Sequence, residues 1–146
     1  MKFATLAVCA AVFGGVPVAR AQSAADSAAI RATALDYIEG WYTGNADRME
    51  RALSGHLAKR MVVTDTSGRS RLVDMTALEL VQGVRAGGGT HTPKAEQRTD
   101  VTILDIFRNA SVVKIDAGAW IDYLQIAKWN GRWVIVNVLW ELRPRQ

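Results

Sequence analysis

Apolar positions along the chain recur first at helical and later at strand spacing. Ile30, Ala34, Tyr37, Ile38 and Trp41 fall three or four residues apart, which predicts a helix over residues 24–42 with aromatic weight at its end. Gly44 stops it, and Asn45 caps a short second helix with Asp47 in its first turn and Met49, Ala52 and Leu53 facing inward. Residues 58–75 predict a hairpin around Ser67-Gly68, although its alternation is imperfect. Thr76 and Glu79 form a T-x-x-E capping box for a third helix over residues 76–85, with Leu78, Val81 and Val84 as its apolar stripe and Gly87 at its end.

Beyond about Arg98 the period changes. "DVTILDIF", "SVVKIDA" and "IDYLQIAKWNGRWVIVNVLWEL" are rich in Val, Ile and aromatics, with turns expected at Asn109-Ala110 and Asn130-Gly131. Helices come first, then a long antiparallel meander with one helix inserted between strands. That order predicts an α+β fold with the helices packed on one face of a curved sheet.

The last hairpin contains the chemical anomaly. A two-residue turn at Asn130-Gly131 sets Trp129 beside Arg132, Lys128 opposite Trp133, Ile126 opposite Ile135, Leu124 opposite Asn137 and Asp122 opposite Leu139. Trp120, Asp122, Leu124, Ile126, Ile135, Asn137, Leu139 and Glu141 then share one face, with Tyr123, Gln125, Ala127, Val134, Val136, Val138 and Trp140 on the other. Asp122 and Asn137 are polar groups on an apolar face, and such groups must hydrogen-bond or border water. Either they belong to a structural network, or they sit at a pocket where Asp122 acts as a base or orients a ligand. Alternation alone leaves open which face is concave. Tyr37 and Trp41, one helical turn apart, serve either as core packing or as the wall of a cavity. The neighbouring hairpin sets Asp105 opposite Lys114, an ordinary cross-strand ion pair.

The amino terminus adds a compartment. Lys2 precedes an apolar stretch too short to span a bilayer, and Ala19 and Ala21 occupy the small-residue positions of an A-x-A cleavage site. A secretory signal peptide of residues 1–21 is expected, leaving a periplasmic or secreted chain of residues 22–146 as one domain, with no membrane attachment after cleavage. Removing Lys2 and Arg20 leaves sixteen basic against fourteen acidic residues, a balance that gives no support to nucleic-acid binding. Cys9 leaves with the signal, so neither a disulfide nor a thiol nucleophile is expected. His56 and His91 lie far apart, which gives a zinc site no support, and no phosphate loop or nucleophile elbow is present. No cofactor is implied.

Four segments together resemble the putative lumazine-binding family, within the nuclear transport factor two-like superfamily that also holds SnoaL and ketosteroid isomerase. They are "YIEGWYTGNADRMERAL", "HLAKR", "ILDIFRNASVVKI" and "DYLQIAKWNGRWVIVNVLWEL", and the resemblance runs from about Ala29 to Pro144. It implies a cone-shaped α+β barrel of three helices and a strongly bent antiparallel sheet, with a ligand pocket inside the cone and dimerisation through the sheet. The family's Asp-Tyr pair falls on Asp122 and Tyr123, and its glycine and tryptophan on Gly40 and Trp41. Where the family carries His-Pro before x-Leu-x-Lys-Arg, this chain has Ser54-Gly55, with His56 two positions later, so any chemistry that depends on the family histidine is not implied here.

Three functions follow. The leading one is an exported, non-catalytic module that binds a small apolar or heteroaromatic molecule, with Tyr37, Trp41, Trp120, Asp122, Tyr123 and Asn137 as the ligand-binding candidates. The second is a cofactor-independent isomerase or dehydratase with Asp122 as catalytic base and Tyr37 or Tyr123 as donor. The third is an interaction module that docks through its sheet, an arrangement a homodimer would also use.

Overall fold

The computed structural model describes residues 18–144. The elements follow as α1 (Val18–Thr43), α2 (Ala46–Ala52), β1 (Leu53–Thr64), β2 (Ser70–Thr76), α3 (Ala77–Arg85), β3 (Asp100–Phe107), β4 (Ala110–Asp116), β5 (Trp120–Trp129) and β6 (Arg132–Leu142). The expected α+β architecture is present. Its six strands form one sheet in the order β2-β1-β6-β5-β4-β3, so β2 and β3 are free edges and the sheet is open rather than closed. All pairings are antiparallel except β1 with β6, which run parallel through Ala58–Asn137 and Arg60–Leu139.

Local chemistry explains most boundaries. At the end of α1, Gly44 takes φ +66°, and the amide of Asn45 reaches Gly40 O at 2.9 Å, closing the helix with a left-handed residue. Asn45 then accepts from Arg48 N and starts α2. A side chain at Gly40 would crowd Met49 N at 3.1 Å, so the glycine lets α2 fold back closely on α1. The capping box at α3 forms as expected: Thr76 accepts from Glu79 N while Glu79 accepts from Thr76 N. Thr76→Ala is expected to cost about 0.5–2 kcal/mol in a denaturant titration.

The core gathers Ile30, Ile38 and Tyr37 from α1, Met49 from α2, and Val84 from α3 against Val113, Ile115, Leu124, Ile126, Ile135 and Val138 of the sheet. In α3, Leu80 is buried with Val81 and Val84, whereas Leu78 is 63 % exposed. Leu80 and Val84 are four apart and flank Val81, which is the stripe that meets the sheet.

Two bulges correct the expected registers. In β5–β6 the pairing holds from Trp129–Arg132 to Ile126–Ile135, but the next partners are Gln125–Asn137, Leu124–Val138, Tyr123–Leu139 and Asp122–Trp140. Val136 is the extra residue, and one extra residue reverses the side on which every later residue falls. Asn137, Leu139 and Glu141 therefore leave the Asp122 face, and Val138 and Trp140 join it. In β3–β4 the turn is Arg108-Asn109, since Phe107 pairs with Ala110, and a bulge between Ile103 and Asp105 sets Asp105 opposite Val112. Lys114 faces Thr102, so the expected Asp105–Lys114 pair does not form.

An ionic clamp joins the first two helices. Asp36 accepts from Arg48 Nε at 2.9 Å and Arg51 Nε at 2.8 Å. Burial alone would raise its carboxyl, but Arg51 and Arg48 together hold it below the usual aspartate value. A depressed folded pKa stabilises the fold above the unfolded value of about 3.9 and stops doing so as pH falls through the folded one. Melting temperature should therefore drop below about pH 4, and by less in Arg51→Ala.

Candidate functional site

β1 alternates Leu57, Lys59, Met61 and Val63 on one side, and Leu57 and Lys59 are buried. A lysine thus stands on the apolar face of the sheet, beneath α1. Its partner is Asp122, two residues into β5 and wholly buried. Lys59 Nζ donates to Asp122 Oδ1 at 2.6 Å and to the Tyr37 hydroxyl at 2.7 Å. Tyr37 donates in turn to Asp122 Oδ1 at 3.3 Å, and Trp120 Nε1 donates to Asp122 Oδ2 at 2.7 Å. The ammonium also lies 4.7 Å from the centre of the Trp140 ring, within cation–π range.

Every polar side-chain atom in this network has a hydrogen-bond partner, and among the described residues no buried side-chain polar atom lacks one. Burial pushes the Lys59 ammonium below the ordinary lysine value, while the Asp122 charge pulls the other way. Burial also drives the Tyr37 phenol well above its usual value, with the adjacent Asp122 charge adding to the effect, so it is a hydrogen-bond donor throughout the working pH range.

Above the network opens a cavity of about 250 Å³, lined by Tyr37, Ile38, Trp41, Met49, Lys59, Met75, Leu80, Trp120, Trp140 and Leu142. It is an aromatic chamber with one ammonium in its wall. Trp41 is held from behind by the loop after α3. That helix ends with Gly87 at φ +87° and a Gly88 N–Gly83 O bond of 2.9 Å, and the chain then passes so close that a Cβ on Gly88 would meet the Trp41 ring at 2.6 Å. Trp120 is braced by Tyr42, with ring centres 6.0 Å apart, and Tyr42 is anchored through its hydroxyl to Ala117 O at 2.9 Å.

Of the sequence-derived candidates, Tyr37, Trp41 and Trp120 border the cavity. Asp122 lies just behind its wall, covered by Lys59, Tyr37 and Trp120. Tyr123 and Asn137 do not meet them: Tyr123 is 46 % exposed on the opposite face, where Asn137 Nδ2 donates to Gln125 Oε1 at 2.8 Å. The bulge at Val136 is the cause for Asn137, and simple alternation for Tyr123. Lys59 and Trp140 were missed. The signal for the lysine is that it spoils an apolar Leu57-x-Lys59-x-Met61-x-Val63 alternation, and the uncorrected register puts Trp140 on the face opposite Asp122. His56 is exposed on β1 with its ring 6.4 Å from Trp129, and His91 lies in the loop after α3; neither approaches the cavity.

Chemically, the wall's polar side chains are an ammonium, a phenol and indoles. Both Asp122 oxygens are occupied, and no carboxylate is among the residues lining the cavity. A base that abstracts a proton from a bound substrate needs direct reach or one intervening water, which Asp122 does not have behind Lys59. It holds the Lys59 ammonium at 2.6 Å. Among the described residues no group of three or more His, Cys, Asp or Glu side chains could hold a metal, and no helix is long and apolar enough to cross a membrane.

Comparison with known proteins adds the ancestry. The sequence pattern of the family described as "Putative lumazine-binding" matches residues 25–141. The chain belongs to the putative lumazine-binding family. That matched stretch contains every cavity-lining residue except Leu142. Similar solved structures include an NTF2-like protein of unknown function from Shewanella baltica, at 17 % identity and TM-score 0.61, covering 84 % of this chain and 97 % of that one. Another, from Silicibacter pomeroyi, has 17 % identity and TM-score 0.60, covering 83 % and 98 %. An NTF2-like protein with a cystatin-like fold from Novosphingobium aromaticivorans has 13 % identity and TM-score 0.62, covering 91 % and 94 %. They establish that this putative lumazine-binding protein has the NTF2-like fold. No curated protein matches it in sequence.

Proposed function

We propose that this chain is an exported, non-catalytic module that binds one small apolar or heteroaromatic molecule between α1 and the inner face of its sheet. The observation that carries this reading is the cavity of about 250 Å³ whose walls include Tyr37 and three tryptophans, with a single ammonium reaching in from Lys59. An apolar cavity of about 150 Å³ accommodates benzene, so this one suits a one- or two-ring aromatic. The family description supports a ligand-binding role. The covered position of Asp122 speaks against the isomerase or dehydratase reading, which requires that carboxylate at the substrate.

Intrinsic fluorescence and melting temperature, measured against a panel of heteroaromatic and steroid-like compounds that includes a pteridine, test the reading. At least one compound should shift both. Trp41→Ala should weaken its binding by the loss of one stacking partner, about 0.5–1.5 kcal/mol beyond the lost area. A panel that moves neither signal would retire ligand binding in favour of docking through the outer face, where Val62, Leu72, Tyr123 and Leu139 are exposed. A homodimer would use the same face, and light scattering reads its mass directly.

Export rests on Lys2, the apolar stretch that follows it and the "VARAQ" segment, and of these Lys2 and most of the apolar stretch lie outside the described residues. Protein recovered from the native host should begin at Gln22, and an intact amino terminus in its mass spectrum would end the export reading. The first buried side chain whose surroundings are described is Ile30, so cleavage after Ala21 takes nothing from the described core.

A further inference from the structure

Lys59 is the one basic group that lines the cavity, and its side chain is only 7 % exposed. Lys128 is committed to Asp26 at 2.8 Å, Lys94 is exposed, and Lys114 lies along β4. The position of Asp122 constrains what Lys59 can receive. An anionic ligand placed on the ammonium would meet a second negative charge 2.6 Å beyond it. A neutral carbonyl oxygen would not. The remaining walls are aromatic or aliphatic, so the body carrying that carbonyl is apolar.

We propose that Lys59 captures apolar aromatic aldehydes or ketones covalently, as a protonated imine held opposite Asp122. The proposal rests on the cavity being a ligand site. The balance closes within the network. Asp122 Oδ1 takes one proton from the Lys59 ammonium, freeing the nitrogen lone pair to form the C–N bond as the carbonyl π pair moves to oxygen. That proton is returned to the new alkoxide by way of the Tyr37 hydroxyl, which contacts both Lys59 and Asp122. A second proton follows the same route. The C–O bond then breaks, water leaves with both protons, and the nitrogen lone pair becomes the C=N bond. One aldehyde and one ammonium give one iminium and one water, with no oxidant and no change of charge. The carboxylate that paired the ammonium now pairs the iminium. Burial of Lys59, which disfavours its charged form, eases the first step.

The test treats the native protein with 2-naphthaldehyde and sodium cyanoborohydride, which reduces an imine to a stable amine, and maps the adduct by peptide mass. Lys59 should be labelled about tenfold or more faster than Lys94 and Lys114, because only at Lys59 does the cavity hold the carbonyl against the amine. 2-Naphthylmethanol, which has the same shape but forms no imine, should slow labelling at Lys59 alone and raise the melting temperature. Lys59→Arg should lose the fast adduct; if that variant does not fold, the wild-type labelling map decides. Equal labelling of all three lysines, with the alcohol still raising the melting temperature, would overturn the imine and leave ligand binding standing. If the alcohol has no effect and Lys59 is not labelled, the imine is again refuted; a broad compound panel without response then removes the ligand-binding reading too.

Discussion

Asp122→Ala is expected to destabilise the fold by about 3–5 kcal/mol, the loss typical when one partner of a buried ion pair is removed. The variant strands Lys59, whose side chain has almost no access to water, and also leaves the indole N–H of Trp120 without its acceptor. A denaturant titration reads the loss directly. The companion experiment removes both charges. Lys59→Met with Asp122→Leu should recover most of the loss and could exceed wild type by about 1–4 kcal/mol, because apolar pairs of similar volume often outperform a buried salt bridge. That double variant separates stability from function: it should fold well yet lose imine formation altogether. An Asp122→Ala protein that unfolds at the wild-type midpoint would mean that the carboxylate is not buried against Lys59.

The second large effect is expected from a single methyl group. A Cβ at Gly89 would overlap Trp41 Cδ1 and the Trp41 carbonyl oxygen, and would lie 2.6 Å from Trp41 Nε1. The carbonyl is backbone within α1 and cannot swing aside, so the loop has to lift. Gly89→Ala should cost about 1–3 kcal/mol, the usual range for overpacking. Lifting the loop also releases the outer side of Trp41, so ligand affinity should fall along with the melting temperature. Gly55→Ala, where nothing lies within 4 Å of the added Cβ, is the control and should leave both readings close to wild type.

Much of this arrangement could be read from residues in order. The face of α1 carrying Tyr37 and Trp41, the Asn45 and Thr76 caps, and the Asn130-Gly131 turn depend on interactions within a few residues, and all four are present. Asp122 was conspicuous because a charge on an apolar strand face needs a partner. Its partner was not legible, because Lys59 lies 63 positions away and reaches it only through the parallel β1–β6 pairing. The misplacement of Asn137 and Trp140 has a narrower cause. Nothing in "VIVNV" marks Val136 as the unpaired residue, since the local pattern is equally compatible with either register. Bulges of this kind are selected by how the whole sheet bends, and that information is not local.

The central position of β6 bears on how the chain reaches this state. Residues 132–142 are the seam between β1–β2 on one side and β5, β4 and β3 on the other. Until that last strand is available, the β1–β2 hairpin and the α2 segment that precedes it have no sheet to join, and Lys59 has no carboxylate within reach. Folding must therefore wait for nearly the whole polypeptide, and pairings so remote in sequence close slowly. A chain that ends before Arg132 should lack cooperative unfolding. In refolding after dilution from denaturant, protection of the β1 amides should appear together with that of β6 and not with the early helices.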